Sequence, residues 1–333
     1  MGANELSREE QVLERFAPKL AEPPPLVVVG IHDFLAKELP PREEILSPWM
    51  LSQSLNMIYA WRGVGKTHVA LGIAYAIASG GEFLGWKAAK PRGVLYLDGE
   101  MAGAALQSRL AAIAHSSDKE PPVGFLDLVT PDLQPGYAPM PDLATARGQE
   151  AVDQAIHDHT EVIVIDNLSC LVRACGSENE AESWLAVQGW ALAKRAQGKS
   201  VLFIHHAGKN GGQRGTSKRE DVLDTVICLR TPPDHDSSQG AKFEVHFEKS
   251  RNQHGEALKP IEAALTQDGS GSMSWLIKTV TESNFDRVVE LGNEGLKQHE
   301  IAIELDLNRS TVSRHWRKAE SLGLISKGVG HAH

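Results

Sequence analysis

Ala60-Trp61-Arg62-Gly63-Val64-Gly65-Lys66-Thr67, followed by His68, is a turn of small residues set between an apolar run and an alanine-rich run. It resembles the pattern G-x-x-x-x-G-K-[ST], with Ala60 in place of the first glycine. Small residues at these positions let successive backbone N–H groups wrap a phosphate chain. Lys66 would reach the outer phosphates as a point charge, and Thr67 would place its hydroxyl on Mg²⁺. The helix that follows would aim its positive N-terminus at the same phosphates. Arg62, Gly63, Val64, Gly65, Lys66, Thr67 and His68 are therefore the candidate nucleotide-binding residues, with ATP and Mg²⁺ as the implied ligands. Replacing glycine by Ala60 is mild if that residue keeps a negative φ.

The flanks supply the context that the turn requires. Residues 48–59 suit a strand entering it, and 68–79 a helix ended by Gly80-Gly81. Short apolar runs at 94–97, 162–165 and 201–204 read as buried strands. Helical patterns at 102–114, 150–159 and 180–196 lie between them. Residues 121–141 are proline-rich and read as loop with a short strand at 125–128. Later strands are expected at 222–229, 243–247 and 274–278. Continuous apolar strands alternating with helices imply an α/β fold with a mostly parallel central sheet covered on both faces. Ligands of such sheets bind beyond the carboxyl ends of the strands. Gly63 to Thr67, Glu100, Asp166 and the pair His205-His206 all fall there.

Asp166 ends the apolar run 162–165 and stands about 100 residues after Lys66, a separation that suits a second Mg²⁺ ligand. Asn167, not glutamate, follows it. A carboxylate to orient an attacking water must then come from elsewhere. Glu100 is the candidate and Asp98 its rival. His205 and His206 end the next apolar run. Their spacing does not suggest a metal cluster.

The composition bounds the rest. The chain has 333 residues, enough for one large domain and a small module. Its formal net charge is -9, which argues against a surface coated in positive charge, although a local basic channel remains compatible. Cys170, Cys175 and Cys228 form no C-x-x-C pair and read as reduced thiols of a cytoplasmic protein. The N-terminus has no apolar core of a signal peptide, and no run is long enough to span a bilayer. Residues 6–20 suit a short amphipathic helix broken by Pro23-Pro24-Pro25. The expected organisation is an arm over 1–25, a catalytic domain over 26–280, a helical module over 284–327 and a disordered tail over 328–333.

Taken together, the phosphate loop (Walker A), Tyr96-Leu97-Asp98-Gly99-Glu100-Met101, Val164-Ile165-Asp166-Asn167-Leu168, His205-His206-x-x-Lys209 and Arg214-Gly215-Thr216-Ser217 resemble RepA-type plasmid replicative helicases and their RecA-like P-loop ATPase relatives. The resemblance covers roughly 26–280. It implies that Glu100 is the catalytic carboxylate and that one of His205 and His206, with His206 preferred, is placed to sense the outermost phosphate. Glu248-Lys249-Ser250-Arg251-Asn252-Gln253-His254-Gly255 is similar to the K-x-R-N-G region of DnaB-type helicases. Carried over, Arg251 would be an arginine finger supplied to a neighbouring subunit and Lys249 its companion. Gln253-His254 departs from that pattern. A shared site implies a homo-oligomer, by resemblance a ring of six. The glycine-rich segment 208–219 would face a central channel, with Lys209, Arg214, Lys218 and Arg219 along single-stranded DNA.

Residues 285–325 resemble winged-helix or helix-turn-helix DNA-binding domains. Helices are expected at 286–291, 297–305 and 311–322, with Ser310 capping the last. Arg309, Thr311, Ser313, Arg314, Arg317 and Lys318 are the candidate contacts to duplex DNA. Three functions are compatible: an ATP-driven DNA helicase or translocase of plasmid or mobile-element replication, an ATP-switched DNA-binding regulator that unwinds nothing, and an ATPase that remodels a protein partner.

Overall fold

A computed structural model of the chain describes residues 26–173, 180–208, 221–232, 235, 240–251, 253, 255–269 and 272–325. The chain divides into two compact units, 1–41 and 42–333. In the first, the described part holds one short helix, α1 (Ile31–Ala36), which buries none of its residues. The expected helix at 6–20 lies outside the described residues. The second unit begins at Arg42.

In the second unit a small hairpin, β1 (Glu44–Leu46) and β2 (Met50–Leu51), precedes the phosphate loop. The strand expected over 48–59 is thus two: β2, then β3 (Leu55–Ala60). The helix after the loop is α2 (Lys66–Ser79). Gly80, with φ +64°, ends it, and the Gly81 N–H returns to the Ala76 carbonyl at 2.9 Å, which is the left-handed glycine cap of a helix C-terminus. A second hairpin, β4 (Glu82–Phe83) and β5 (Trp86–Lys87), follows. Phe83 packs against α2 at Gly72, where a Cβ would stand 2.1 Å from its ring.

The remaining elements are β6 (Gly93–Asp98), α3 (Gly103–His115), β7 (Leu126–Val129), α4 (Ala146–Gln154), β8 (Thr160–Asp166), α5 (Leu168–Leu171), α6 (Glu180–Ala196), β9 (Ser200–His206), β10 (Thr225–Arg230), β11 (Lys242–Ser250), β12 (Ile261–Gln267), β13 (Met273–Thr279), α7 (Val280–Asn293), α8 (Gln298–Glu304) and α9 (Arg309–Ser321). Among the described residues the main sheet has the order β13-β12-β11-β10-β3-β9-β8-β6-β7. From β10 to β7 every pairing is parallel; β11, β12 and β13 extend the sheet in antiparallel fashion. The apolar strands are continuous because both faces are covered. Ile58, Tyr96, Val162, Val164, Leu202 and Ile204 join one core with α2, while Met57, Leu95, Ile163, Ile165, Val201 and Phe203 join another with Trp184, Val187 and Ala191 of α6.

Three differences from the sequence reading have physical causes. The helix expected at 150–159 is α4, which starts four residues earlier because the Thr145 hydroxyl accepts the Gly148 N–H, and residues 157–160 form a tight turn instead. Strand β12 was not expected: Ile261-Glu262-Ala263-Ala264-Leu265 has little intrinsic strand preference, and pairing on both sides imposes the conformation. The helix expected at 286–291 is α7, which starts at Val280 because a capping box between Thr279 and Glu282 opens it there.

The C-terminal helices belong to the same compact unit as the sheet. Helix α7 begins at the residue after β13, with a capping box between Thr279 and Glu282. Arg287 on α7 is buried and pairs with Glu262 of β12, with Glu244 of β11 at 3.9 Å, while Lys242 stands 3.8 Å from Glu262. This ionic cluster ties the helices to the sheet. Among the described residues no helix is long and apolar enough to cross a membrane. Removing one partner of a buried ion pair leaves the other uncompensated. Arg287→Ala is expected to destabilise the chain by about 3 kcal/mol, read by urea unfolding; a change near zero would remove the cluster's structural role.

Candidate nucleotide site

The phosphate loop is built as the sequence implies, and the structure explains its departure from the glycine pattern. Gly63 and Gly65 have φ of +82° and +109°, a region that side-chain-bearing residues avoid. Ala60 is not among the positive-φ residues. It is the last residue of β3, buried and paired in register with His206 on one side and Leu229 on the other. A glycine's freedom is not needed there.

Lys66 opens α2 and is buried. Its Nζ donates to the carbonyl oxygens of Ala60 at 3.1 Å and Trp61 at 2.9 Å. Burial pushes its pKa down, and the carboxylates of Asp166 and Glu100 oppose that. Beside it, Asp166 ends β8, also buried. The hydroxyls of Tyr96 (2.6 Å) and Thr67 donate to its carboxylate. Burial still pushes its pKa up to about 6, against both hydrogen bonds and the nearby Lys66. Mg²⁺ takes oxygen ligands in an octahedral shell. The hydroxyl of Thr67 and the carboxylate of Asp166 are such ligands and already meet, so the donor set fits Mg²⁺.

The two candidate carboxylates after β6 have different surroundings. Asp98 is buried, and its oxygens take the N–H groups of Glu100 (3.3 Å) and Met101 (3.2 Å) and the hydroxyl of Thr130 (3.3 Å). It folds the turn. Glu100 is exposed, and Asn167 Nδ2 donates to its Oε2 at 2.5 Å. Asn167 also caps α5 through the Cys170 N–H. In the sequence alone Asn167 stands only where a glutamate is missing, and Tyr96 carries no evident role. The signal for both was adjacency: Tyr96 lies two residues before Asp98 on β6, and Asn167 directly follows Asp166.

His205 and His206 lie inside β9, not beyond it. In register with Ala60, His206 points to the face that carries α2, and His205 to the other. His68 lies on the first turn of α2, but its side chain lines a cavity of about 260 Å³ with Phe83, Ala112, Met273 and Trp275.

Lys249 and Arg251 stand at the opposite edge of the sheet. Lys249 pairs with Val226, and Ser250 with Thr225, which is level with Asn56 at the start of β3. Four residues of strand, ~13 Å, separate that level from Ala60. The Arg251 N–H donates to the Asp224 carbonyl at 3.0 Å, and its guanidinium to the Asp221 carbonyl. Lys209, Arg214, Lys218 and Arg219 lie outside the described residues.

The C-terminal helices pack through Val288, Ile301, Ala302, Leu305 and Val312. The residue capping α9 is Asn308, without a side-chain bond; Ser310 lies inside the first turn and does not cap it. Val312, His315 and Ala319 face inward, while Arg309, Arg314, Arg317 and Lys318 are exposed and Thr311 and Ser313 are half-buried. Arg317 donates to Ser313 at 3.2 Å, and the Lys318 ammonium sits 4.6 Å above the Phe285 ring. The exposed face of α9 is therefore basic.

Residues 18–212 match a protein family described as AAA domain, a match that takes in the phosphate loop, Glu100, Asp166 and both histidines. Among solved structures, a KaiC-like protein of the hyperthermophilic archaeon Pyrococcus horikoshii OT3 aligns at 14% identity and a TM-score of 0.46, over 70% of this chain and 93% of that one.

The raised pKa of Asp166 makes a stability prediction. An unfolded aspartate titrates near 3.9. Between about pH 4 and 6 the folded chain holds a proton that the unfolded chain has released, and above that window ionised Asp166 opposes folding. Asp166→Asn should therefore stabilise the nucleotide-free protein at pH 7 by about 1–3 kcal/mol, with the gain shrinking as pH falls from 6 to 4. Denaturant unfolding at pH 7 and pH 4.5 checks this, and a loss of stability at pH 7 would contradict it.

Proposed function

The chain belongs to the AAA domain family, with a RecA-like P-loop ATPase core, and on that premise we propose that it is an oligomeric DNA motor, a helicase or translocase of plasmid or mobile-element replication. The observation that carries this reading is the split of candidate catalytic groups between two edges of one sheet. Lys66, Thr67, Glu100, Asp166 and His206 gather at the carboxyl edge. Lys249 and Arg251 stand at the other, too far to serve the phosphate loop of their own chain. Such a chain completes its site with a second copy, and an arginine fork suits the charge that develops on a transferred phosphoryl group.

Within one chain the division of labour follows from the geometry. Bound ATP would draw the Lys66 ammonium from the Ala60 and Trp61 carbonyls to its outer phosphates. Mg²⁺, held by Thr67 and Asp166, would neutralise phosphate charge. Glu100 is exposed and held by Asn167, a suitable place from which to orient an attacking water. Its carboxylate would accept the proton that the water loses. His206, beside Ala60, is placed to report loss of the outer phosphate to the segment after β9. The basic face of α9 suits duplex DNA, with Arg309, Ser313 and Arg317 at four-residue spacing and Arg314 and Lys318 beside them.

The deciding experiment is steady-state ATP hydrolysis with and without single-stranded DNA at low salt, followed by strand displacement. A motor gives strong stimulation and unwinding. A flat response with tight binding to one duplex site supports the regulator reading instead, and indifference to DNA supports action on a protein partner. Lys66→Ala should reduce turnover by on the order of 10²-fold or more; undiminished hydrolysis would sink the site assignment. Arg251→Ala should leave nucleotide affinity nearly unchanged and reduce turnover by roughly 10³-fold. Mixing the two inactive variants should restore part of the activity, because some interfaces then carry an intact Lys66 and an intact Arg251. A mixture as inactive as its components would exclude sharing between subunits.

A further inference from the structure

At the amino-terminal edge of the sheet, away from the phosphate loop, three ligand-type side chains converge that ATP chemistry does not use. Asp127 lies on β7, and His157 and His159 lie in the turn that leads into β8. A carboxylate oxygen of Asp127 and one ring nitrogen from each histidine all lie within 4.8 Å of one another. His157 Nδ1 stands 3.2 Å from Asp127 Oδ2. Ligands about 2.0–2.2 Å from a tetrahedral ion are roughly 3.3 Å apart, so this pair already spans one edge of such a shell.

The frame around the cluster is fixed. The Thr160 N–H donates to the His157 carbonyl at 3.0 Å, and the His157 N–H to the Thr160 hydroxyl at 3.1 Å. Lys199 Nζ reaches the carbonyls of Asp158 (3.4 Å) and Thr160 (2.5 Å). Gly93 admits the turn, since a Cβ there would stand 2.3 Å from the His159 carbonyl oxygen. The His159 ring stacks on Phe125 at 5.6 Å and 19°, and its Nε2 lies 2.7 Å from the Gly124 carbonyl. A carbonyl only accepts, so Nε2 carries the hydrogen of the neutral ring and Nδ1 keeps the lone pair. Backbone carbonyls orient metal-ligating imidazoles in this manner.

We propose that Asp127, His157 and His159 bind a divalent transition-metal ion of the zinc class, with the remaining coordination position open to solvent. Two imidazoles and one carboxylate suit such an ion, whereas Mg²⁺ and Ca²⁺ take oxygen shells. The histidines are exposed and Asp127 is half-buried, so an ion can enter. The bound ion ties the outermost strand β7 to the entry of β8 across β6. This site is separate from the Mg²⁺ ligands Thr67 and Asp166, which lie at the carboxyl edge.

The test uses the full chain, stripped with a chelator and titrated with Zn²⁺ against a chromophoric competitor. The wild type and Lys66→Ala should each take one tight equivalent, with a rise in unfolding temperature. His157→Ala and His159→Ala should bind that equivalent on the order of 100-fold more weakly and lose the rise. His331 and His333 stay in every variant, so the difference reports on this cluster alone. Co²⁺ should give the visible absorption of a tetrahedral site in the wild type and not in the histidine variants. His157→Gln serves where the alanine variant unfolds without metal. A wild type that takes no tight equivalent, or histidine variants that keep it, would overturn the proposal.

Discussion

Asp166 is a carboxylate taken out of water and held between two hydroxyls, Thr67 and Tyr96. The rest of the carboxyl edge is arranged around that contact. Thr67 comes from the helix after β3, Tyr96 from the middle of β6 and Asp166 from the end of β8. They meet because β9 alone separates β3 from β8, and β6 lies next to β8. Hydroxyl donors do not fully offset the desolvation of the carboxylate, as its raised pKa records. A cation beside it would. Lys66 is near, yet its ammonium donates to the carbonyls of Ala60 and Trp61. The site is thus short of positive charge at the carboxylate and of negative charge at the lysine, and a Mg²⁺–phosphate ligand would supply both.

The same sheet carries a second set of constraints at its other edge. The Asp224 carboxylate accepts the Leu55 N–H at 2.9 Å and Arg42 at 3.2 Å, while its carbonyl accepts the Arg251 N–H. One residue therefore anchors the start of β3, the start of the compact unit and the end of β11. Between the edges, the Tyr59 hydroxyl on β3 donates to Glu248 on β11, beside Lys249, and Arg230 reaches Glu248 at 3.2 Å. The strand that leads into the phosphate loop is so connected, across β10, to the strand that carries Lys249 and leads into Arg251. Arg287 extends the connection through Glu262 and Glu244 to the C-terminal helices.

Much of this was legible because it is local. The phosphate loop needs glycine at positive φ and a helix behind it, and both are written in consecutive residues, Gly63 to Thr67. The alternation of apolar strands with helices determined the parallel sheet and hence the edge where Glu100, Asp166 and the histidines stand. The helical C-terminal segment was readable from its period, although its first helix proved to start at Val280 with no linker after β13.

Tertiary structure alone decided the rest, since those features depend on residues far apart in the chain. Ala60 is acceptable because β9 and β10 hold it in a strand. Asp98 and Glu100 are two residues apart and chemically alike, yet one is buried under its own turn and the other is exposed and bonded to Asn167, 67 residues on. Lys249 and Arg251 stand at the edge opposite Lys66 because β11 runs antiparallel to β10, and strand direction is not encoded in a nine-residue segment. Asp127 meets His157 and His159 only because β6 and β8 pair and Gly93 lets the turn approach. Sequence specifies which groups are available and their local backbone; pairing register and burial determine which of them meet and at what charge.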